Sequence, residues 1–99
     1  MKDVQYKNLD AGQTVVFEMK LKRSKFLVKN FTSGIISVTL GENENSSIIG
    51  AESWEVVFNN VEDTTTGMAE ATNKVTVQST GSGLVEIASI DFYYIFDIS

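Results

Sequence analysis

The sequence predicts an all-β protein, an antiparallel β-sandwich of the Ig-like or jelly-roll type with about eight short strands. Apolar and polar residues alternate with a period of two in short segments that recur about every ten residues. No segment keeps a helical period, and the chain contains no proline. A chain of 99 residues has the size of one domain, so residues 1–99 are predicted to form a single sandwich.

The strand pattern is clearest between Phe26 and Leu40. Two apolar runs lie on either side of the segment Phe31–Gly34, and in both runs the even positions are apolar. This alternation is typical of half-buried strands. The residues predicted to face the core are Phe26, Val28, Ile36, Val38 and Leu40.

Two strands are predicted before this stretch. Residues 1–9 form a first strand or an ordered arm, and residues 11–13 form a turn. Residues 14–21 are rich in β-branched and aromatic residues and alternate cleanly, which predicts a strand. The face of that strand predicted to be buried carries Val15, Phe17, Met19 and Leu21.

The segment Lys20–Lys25, KLKRSK, places four positive charges on six residues between two strands. We interpret it as a hairpin end held in water, where lysines also oppose edge pairing. The functional alternative is contact with an acidic protein surface through Lys22, Arg23 and Lys25. Binding to a phosphate backbone is disfavoured, because no aromatic residues alternate with these charges.

The segment Ser53–Val61 alternates with Trp54, Val56 and Phe58 on one face. The phase of Trp54 with two apolar neighbours predicts that it lies in the core, where replacement by alanine would cost about 3–5 kcal/mol. The alternative for the single tryptophan is an exposed platform for a sugar ring, and that reading would gain weight if Trp54 and Tyr6, Tyr93 or Tyr94 shared one exposed flat face.

The second half of the chain contains a long connection and a predicted hairpin. Residues 62–73 show no strand period and are expected to cross the sandwich. Lys74–Ser79 alternates with Val75 and Val77 inward, and Leu84–Ile90 alternates with Val85, Ile87 and either Ala88 or Ile90 inward. The glycines of Thr80–Gly83 suit a tight turn between them. We therefore predict that these two strands form a hairpin.

The C-terminal segment Asp91–Ser99 is apolar on both faces. Such a strand is either central in its sheet or covered by another subunit. The predicted contact residues of this segment are Phe92, Tyr93, Tyr94, Ile95 and Phe96.

Composition excludes several kinds of chemistry. The chain has no cysteine and no histidine, which removes disulfides, thiol nucleophiles and the commonest general base and metal ligand. The carboxylates Glu55, Asp63 and Glu86 are scattered, so no catalytic residue, metal site or cofactor is predicted. A net charge of -5 and the absence of a long apolar window argue against nucleic-acid and membrane partners.

Three segments, FLVKNFTSGIISVTLGEN, SSIIGAESWEVVFNNV and NKVTVQSTGSGLVEIASID, resemble a layout found in small accessory virion proteins of tailed phages of Gram-positive bacteria. The resemblance covers about residues 15–91, and the C-terminal extension and the connection at residues 62–73 depart from it. It implies a non-enzymatic structural protein of the virion, assembled in the bacterial cytoplasm. Its expected role is capsid decoration, with self-association and docking on the capsid or another virion protein. The alternatives are a phage tail or neck accessory protein and a carbohydrate-binding or adhesin-type module.

Overall fold

The computed structural model describes residues 3–42, 46–58 and 71–90. These residues form eight strands in two antiparallel sheets of four, which confirms the predicted β-sandwich. Sheet 1 has the order β1-β8-β3-β6 and sheet 2 the order β2-β7-β4-β5. The strands are β1 (Val4–Leu9), β2 (Thr14–Arg23), β3 (Lys25–Asn30), β4 (Ile36–Leu40), β5 (Ser47–Ile49), β6 (Ser53–Phe58), β7 (Thr72–Ser79) and β8 (Gly83–Ser89).

The pairing of the strands identifies the sandwich as a jelly roll. β1 pairs with β8, β2 with β7, β3 with β6 and β4 with β5, so the two halves of the chain form one long antiparallel ribbon. The ribbon folds back on itself, so that β3 pairs with β8 in sheet 1 and β4 pairs with β7 in sheet 2. An Ig-like sandwich pairs its first two strands in one sheet, whereas β1 and β2 lie in different sheets here.

The core lies between the inner faces of the two sheets. The predicted inward phases of β2, β3, β4 and β7 are confirmed, as are Val85 and Ile87 of β8, although Val15 and Leu21 of β2 are only half-buried. Ala88 and Ile90 belong instead to a second apolar cluster on the other face of sheet 1. Each fully buried aliphatic or aromatic side chain contributes about 1.5–3 kcal/mol. The core includes Phe17, Met19, Phe26, Val28, Ile36, Val38, Leu40, Val75, Val77, Val85 and Ile87.

The predicted hairpin of Lys74–Ser79 with Leu84–Ile90 is wrong. β7 belongs to sheet 2 and β8 to sheet 1, so residues 80–82 connect the two sheets. A glycine-rich turn permits the strands to pair with each other or with different neighbours, and here both strands find their partners elsewhere. Of the predicted connection at residues 62–73, residues 62–70 lie outside the described part of the chain, and Thr72 and Asn73 belong to β7.

Two connections between the sheets stack on each other at one end of the sandwich. We call residues 31–35 the first arch and residues 80–82 the second arch. The Thr80 amide and hydroxyl both donate to the carbonyl of Ile35, at 3.0 and 2.8 Å. At the contact, a Cβ on Gly34 would lie 2.7 Å from the Gly81 nitrogen, and a Cβ on Gly81 would lie 2.8 Å from the Ser33 carbonyl carbon. The two backbones therefore approach too closely to admit a side chain.

Asn30 satisfies the polar groups buried beside the first arch. Its side-chain nitrogen donates to the carbonyls of Gly34 and Gly50, both at 2.9 Å, and its side-chain oxygen accepts from the Thr32 amide at 2.9 Å and the Thr32 hydroxyl at 2.6 Å. Both side chains are buried, and buried polar groups without partners cost about 1–3 kcal/mol each. Asn30 thus links the end of β3 to the arch and to the turn between β5 and β6.

We predict that Gly34→Ala lowers the free energy of unfolding by about 1–3 kcal/mol, because the added methyl group must push the second arch away. Chemical denaturation measures the loss. The matched control is Gly50→Ala, where the nearest atom to a Cβ is the Ser53 Oγ at 3.8 Å and a change of no more than about 0.5 kcal/mol is expected. Equal losses in the two variants would contradict the close contact of the arches.

Candidate binding face

A transverse row of four side chains crosses the outer surface of sheet 1. Tyr6 on β1 is paired with Glu86 on β8. Lys29 on β3 is paired with Glu86 on one side and with Trp54 on β6 on the other. Cross-strand partners project to the same side of a sheet, so all four point outward. Tyr6 and Trp54 are 68% and 67% exposed, and three strand spacings place their backbones about 14 Å apart.

An ion pair forms the centre of this row. The Lys29 Nζ lies 3.5 Å from Glu86 Oε2, and the two side chains are 40% and 30% exposed. A solvent-accessible pair of this kind contributes about 1 kcal/mol or less to stability. Its significance lies in its position, because one negative and one positive group separate the two exposed aromatic rings.

The row continues on one side into further apolar surface. The Phe31 amide donates to the carbonyl of Leu84 at 2.9 Å, and the Phe31 side chain is 53% exposed. Asn8 is the partner of Leu84 on β1. We call the open surface formed by these side chains and the row the aromatic face. Its members are Tyr6, Asn8, Lys29, Phe31, Trp54, Leu84 and Glu86.

On the other side of the row, the central positions of the outer surface of sheet 1 are buried. Leu27, Ala88 and Ile90 are buried there as a second apolar cluster, with Val56 packed against them. At the far end of β6, Phe58 is exposed and the Lys25 Nζ lies 5.4 Å from its ring centre. The aromatic face is therefore bounded by side chains that the chain already buries.

The outer surface of sheet 2 has a different character. Its central positions carry Thr76 paired with Thr39, and Gln78 paired with Ser37. Exposed apolar side chains occur on its two edge strands, Val16 on β2 and Ile48 on β5. The sandwich thus has one aromatic and one mainly hydroxyl-bearing outer surface. This contrast singles out sheet 1 as the candidate binding surface.

The prediction that Trp54 lies in the core is wrong. Val57 is the buried residue of β6, opposite Phe26, and Trp54, Val56 and Phe58 point to the other side. Trp54, Val56 and Phe58 share one side of β6, as the alternation predicts, but that side is the outer face of sheet 1 and not the core face. The assignment failed because sheet 1 has apolar clusters on both of its faces, so an apolar alternation does not indicate which face is inside.

The interpretation of Lys20–Lys25 as a hairpin end is also wrong. β2 ends at Arg23 and β3 begins at Lys25, but the two strands belong to different sheets. The segment is a corner at which the chain passes between the sheets, and we call it the basic corner. Lys22 is exposed, Arg23 and Lys25 are half-buried, and the Arg23 side chain donates to the Lys22 carbonyl at 3.1 Å.

Asp3 fastens the basic corner to β8. Its Oδ2 accepts hydrogen bonds from the Leu21 amide at 2.8 Å and the Ser89 hydroxyl at 2.9 Å. Burial acts to raise the pKa of Asp3, but hydrogen bonds from the Leu21 and Lys20 amides and from Ser89, together with the Lys20 charge, hold it below its ordinary value of 3.8. The ionised carboxylate therefore stabilises the fold.

We predict that Asp3→Asn destabilises the protein by about 1–3 kcal/mol at neutral pH, because it removes the charge and places an amide in a buried acceptor site. The pKa of Asp3 is lower in the folded state than in the unfolded state. The carboxylate therefore makes its full contribution to stability at pH values above its unfolded-state pKa, and that contribution is lost as the pH falls through the folded-state pKa. Denaturation at a series of pH values measures the difference in free energy of unfolding between wild type and variant, and this difference should become smaller below pH 3.8. A difference that stays constant into strong acid would contradict an ionised Asp3.

The carboxylates considered in the sequence do not form a described pair. Glu86 projects from the outer side of sheet 1, whereas Glu55 is paired with Val28 and projects from the other side. Asp63 lies outside the described residues. In residues 3–42, 46–58 and 71–90, no three acidic side chains are grouped so that they could hold a metal ion. Among the same residues, no helix is long and apolar enough to cross a membrane.

The predicted contact residues of the C-terminal segment, Phe92, Tyr93, Tyr94, Ile95 and Phe96, lie outside the described residues. Their role remains a prediction. Lys22 and Arg23 end β2 and Lys25 begins β3, so the three lie together at the basic corner, on either side of the point where the chain passes between the sheets.

Sequence reasoning missed most of the aromatic face. It assigned no role to Lys29, did not relate it to Glu86, and did not place Phe31 on a surface. The available signal was the apolar character of β3 on both of its faces, in the run Phe26–Val28. A strand of this kind indicates that the outer surface of its sheet is also apolar.

Comparisons of the chain with protein-family models, with curated proteins and with solved structures found no match.

Proposed function

We propose that the chain is a non-enzymatic structural protein of a phage virion, of the capsid-decorating kind, that docks through its aromatic face. In this role it is assembled in the bacterial cytoplasm, associates with copies of itself and binds the capsid or another virion protein. The observation that carries the proposal is the exposure of Tyr6, Phe31 and Trp54 on one side of sheet 1.

The composition of this face fits a protein partner. The fully buried centres of protein interfaces are enriched in aromatic residues and depleted in charged ones, and tyrosine and tryptophan supply many of the residues that dominate binding energy. The aromatic face presents three exposed rings around a single ion pair. Apolar side chains grouped in this way on a small domain mark an interaction surface.

The resemblance of the sequence to accessory virion proteins supports the identity of the partner. A protein that covers a particle needs a stable folded domain and a surface that binds the particle. The jelly roll is the folded domain, and the aromatic face is the proposed binding surface. Jelly rolls occur in viral capsid proteins but also in lectins and cupins, so the fold alone does not choose among these roles.

We predict that Tyr6→Ser with Trp54→Ser abolishes particle binding while lowering the free energy of unfolding by no more than about 1 kcal/mol, because both rings are exposed. The test first asks whether the chain co-purifies with phage particles from cells that encode it. It then measures co-sedimentation of wild type and variant with particles that lack the chain.

The matched control is Val16→Ser with Ile48→Ser, which removes two exposed apolar side chains from sheet 2 and should leave binding intact. Absence of the chain from the particles would contradict the virion role. Equal binding by both double variants would show that the aromatic face is not the docking surface.

A second candidate function is supported by the same two rings. Trp54 and Tyr6 are exposed on one sheet surface, which is the arrangement expected of a carbohydrate-binding or adhesin-type module. Because Trp54 is the only tryptophan, its fluorescence reports on this surface alone. A saturable change in Trp54 emission on titration with a bacterial cell-wall glycan, lost in Tyr6→Ser, would favour this function over the virion role.

A further inference from the structure

We infer that the aromatic face pairs with the aromatic face of a second copy of the chain, around a two-fold axis that runs parallel to the strands between β8 and β3. This inference deepens the proposed function and rests on it only in taking the aromatic face as the functional surface. It names the occupant of that surface while the chain is not docked on a particle, and the charge pattern of the central row carries the argument.

The row is complementary to itself. In the order β1-β8-β3-β6 it reads aromatic, negative, positive, aromatic, as Tyr6, Glu86, Lys29 and Trp54. Rotation by half a turn about an axis along the strands reverses this order in the second copy. Glu86 then faces Lys29 of the second copy, and Tyr6 faces Trp54 of the second copy. Two aromatic contacts flank two opposite-charge contacts, as a two-fold interface requires.

The alternative two-fold axis in the plane of the face runs along the row. It would place Lys29 against Lys29 and Glu86 against Glu86 of the second copy. Juxtaposition of like charges in an interface is costly, so the charge pattern selects the axis along the strands. Both axes keep the strands of the two sheets aligned, so the charge pattern alone decides between them.

The neighbouring positions fit the same axis. The position of Leu84 on β8 faces that of Phe31 beyond β3, so an aliphatic side chain meets an exposed ring. The buried cluster of Leu27, Ala88 and Ile90 limits the contact to the open half of the surface. The interface is therefore small, of the size of transient contacts below about 1,200 Å². We expect a weak dimer in solution, which can release the same face when the chain docks on a particle.

The experiment exchanges the central charges in the full chain. Lys29→Glu gives a face with two negative groups, and Glu86→Lys gives a face with two positive groups. Each variant alone should dissociate more readily, with a dimer dissociation constant raised about tenfold or more. An equimolar mixture should form a heterodimer, because opposite charges then face each other again. The double variant Lys29→Glu with Glu86→Lys should also recover self-association.

Sedimentation velocity over a concentration series measures association, and the emission of Trp54 reports its burial in the interface. Circular dichroism and thermal unfolding test whether every variant is folded. A variant that does not fold is replaced by Lys29→Gln or Glu86→Gln, each expected to weaken the dimer less than the charge reversal does. A monomeric wild type at all concentrations overturns the inference, as does a dimer insensitive to all of these charge changes. The experiment needs no phage particle, so a chain that pairs as inferred but is absent from virions refutes the proposed function alone.

Discussion

The contact between the two arches at Gly34 and Gly81 is the constraint on which the rest of the structure depends. One arch carries the chain from sheet 1 to sheet 2, and the other carries it back, so both crossings meet at one end of the sandwich. The backbones approach within a distance that excludes a side chain at either glycine. Asn30 then supplies the hydrogen bonds that the buried end of the first arch requires. With these crossings fixed, β3 and β8 lie side by side, and so do β4 and β7.

The inner face of the sandwich could be predicted from the sequence, but the arrangement of the strands could not. Alternation identifies Phe17, Val38 and Val77 as core residues, because a strand with one polar and one apolar face must bury the apolar face. The same rule fails at Trp54, since β3 is apolar on both of its faces and β6 can then carry its apolar residues on either one. Turn residues such as Gly81 indicate where the chain bends. They do not indicate whether the flanking strands pair with each other, because that depends on partners far away in the sequence.

The candidate site was difficult to predict for a related reason. Tyr6, Lys29, Trp54 and Glu86 come from four strands that are distant in the sequence, and only the strand order brings them into one row. The sequence shows which residues are aromatic, but whether they lie together on one surface depends on the order and register of the paired strands. The two outer surfaces of the sandwich differ because one is lined by rings and the other by threonine, serine and glutamine side chains. A domain with such unequal sides has a preferred orientation toward whatever it binds.

The nested pairing of the strands also bears on how the chain reaches its fold. The pair β4–β5 closes the shortest loop, and the pairs β3–β6, β2–β7 and β1–β8 bridge successively longer separations in sequence. Loop-closure entropy grows with separation, and topologies dominated by distant contacts fold slowly. Loop-closure entropy therefore favours pairing outward from β4–β5 and opposes the β1–β8 pair most. Until β1 pairs, the edge of β8 that it covers is open to a strand from another molecule, so folding and unwanted association compete at the N-terminal end of the sandwich.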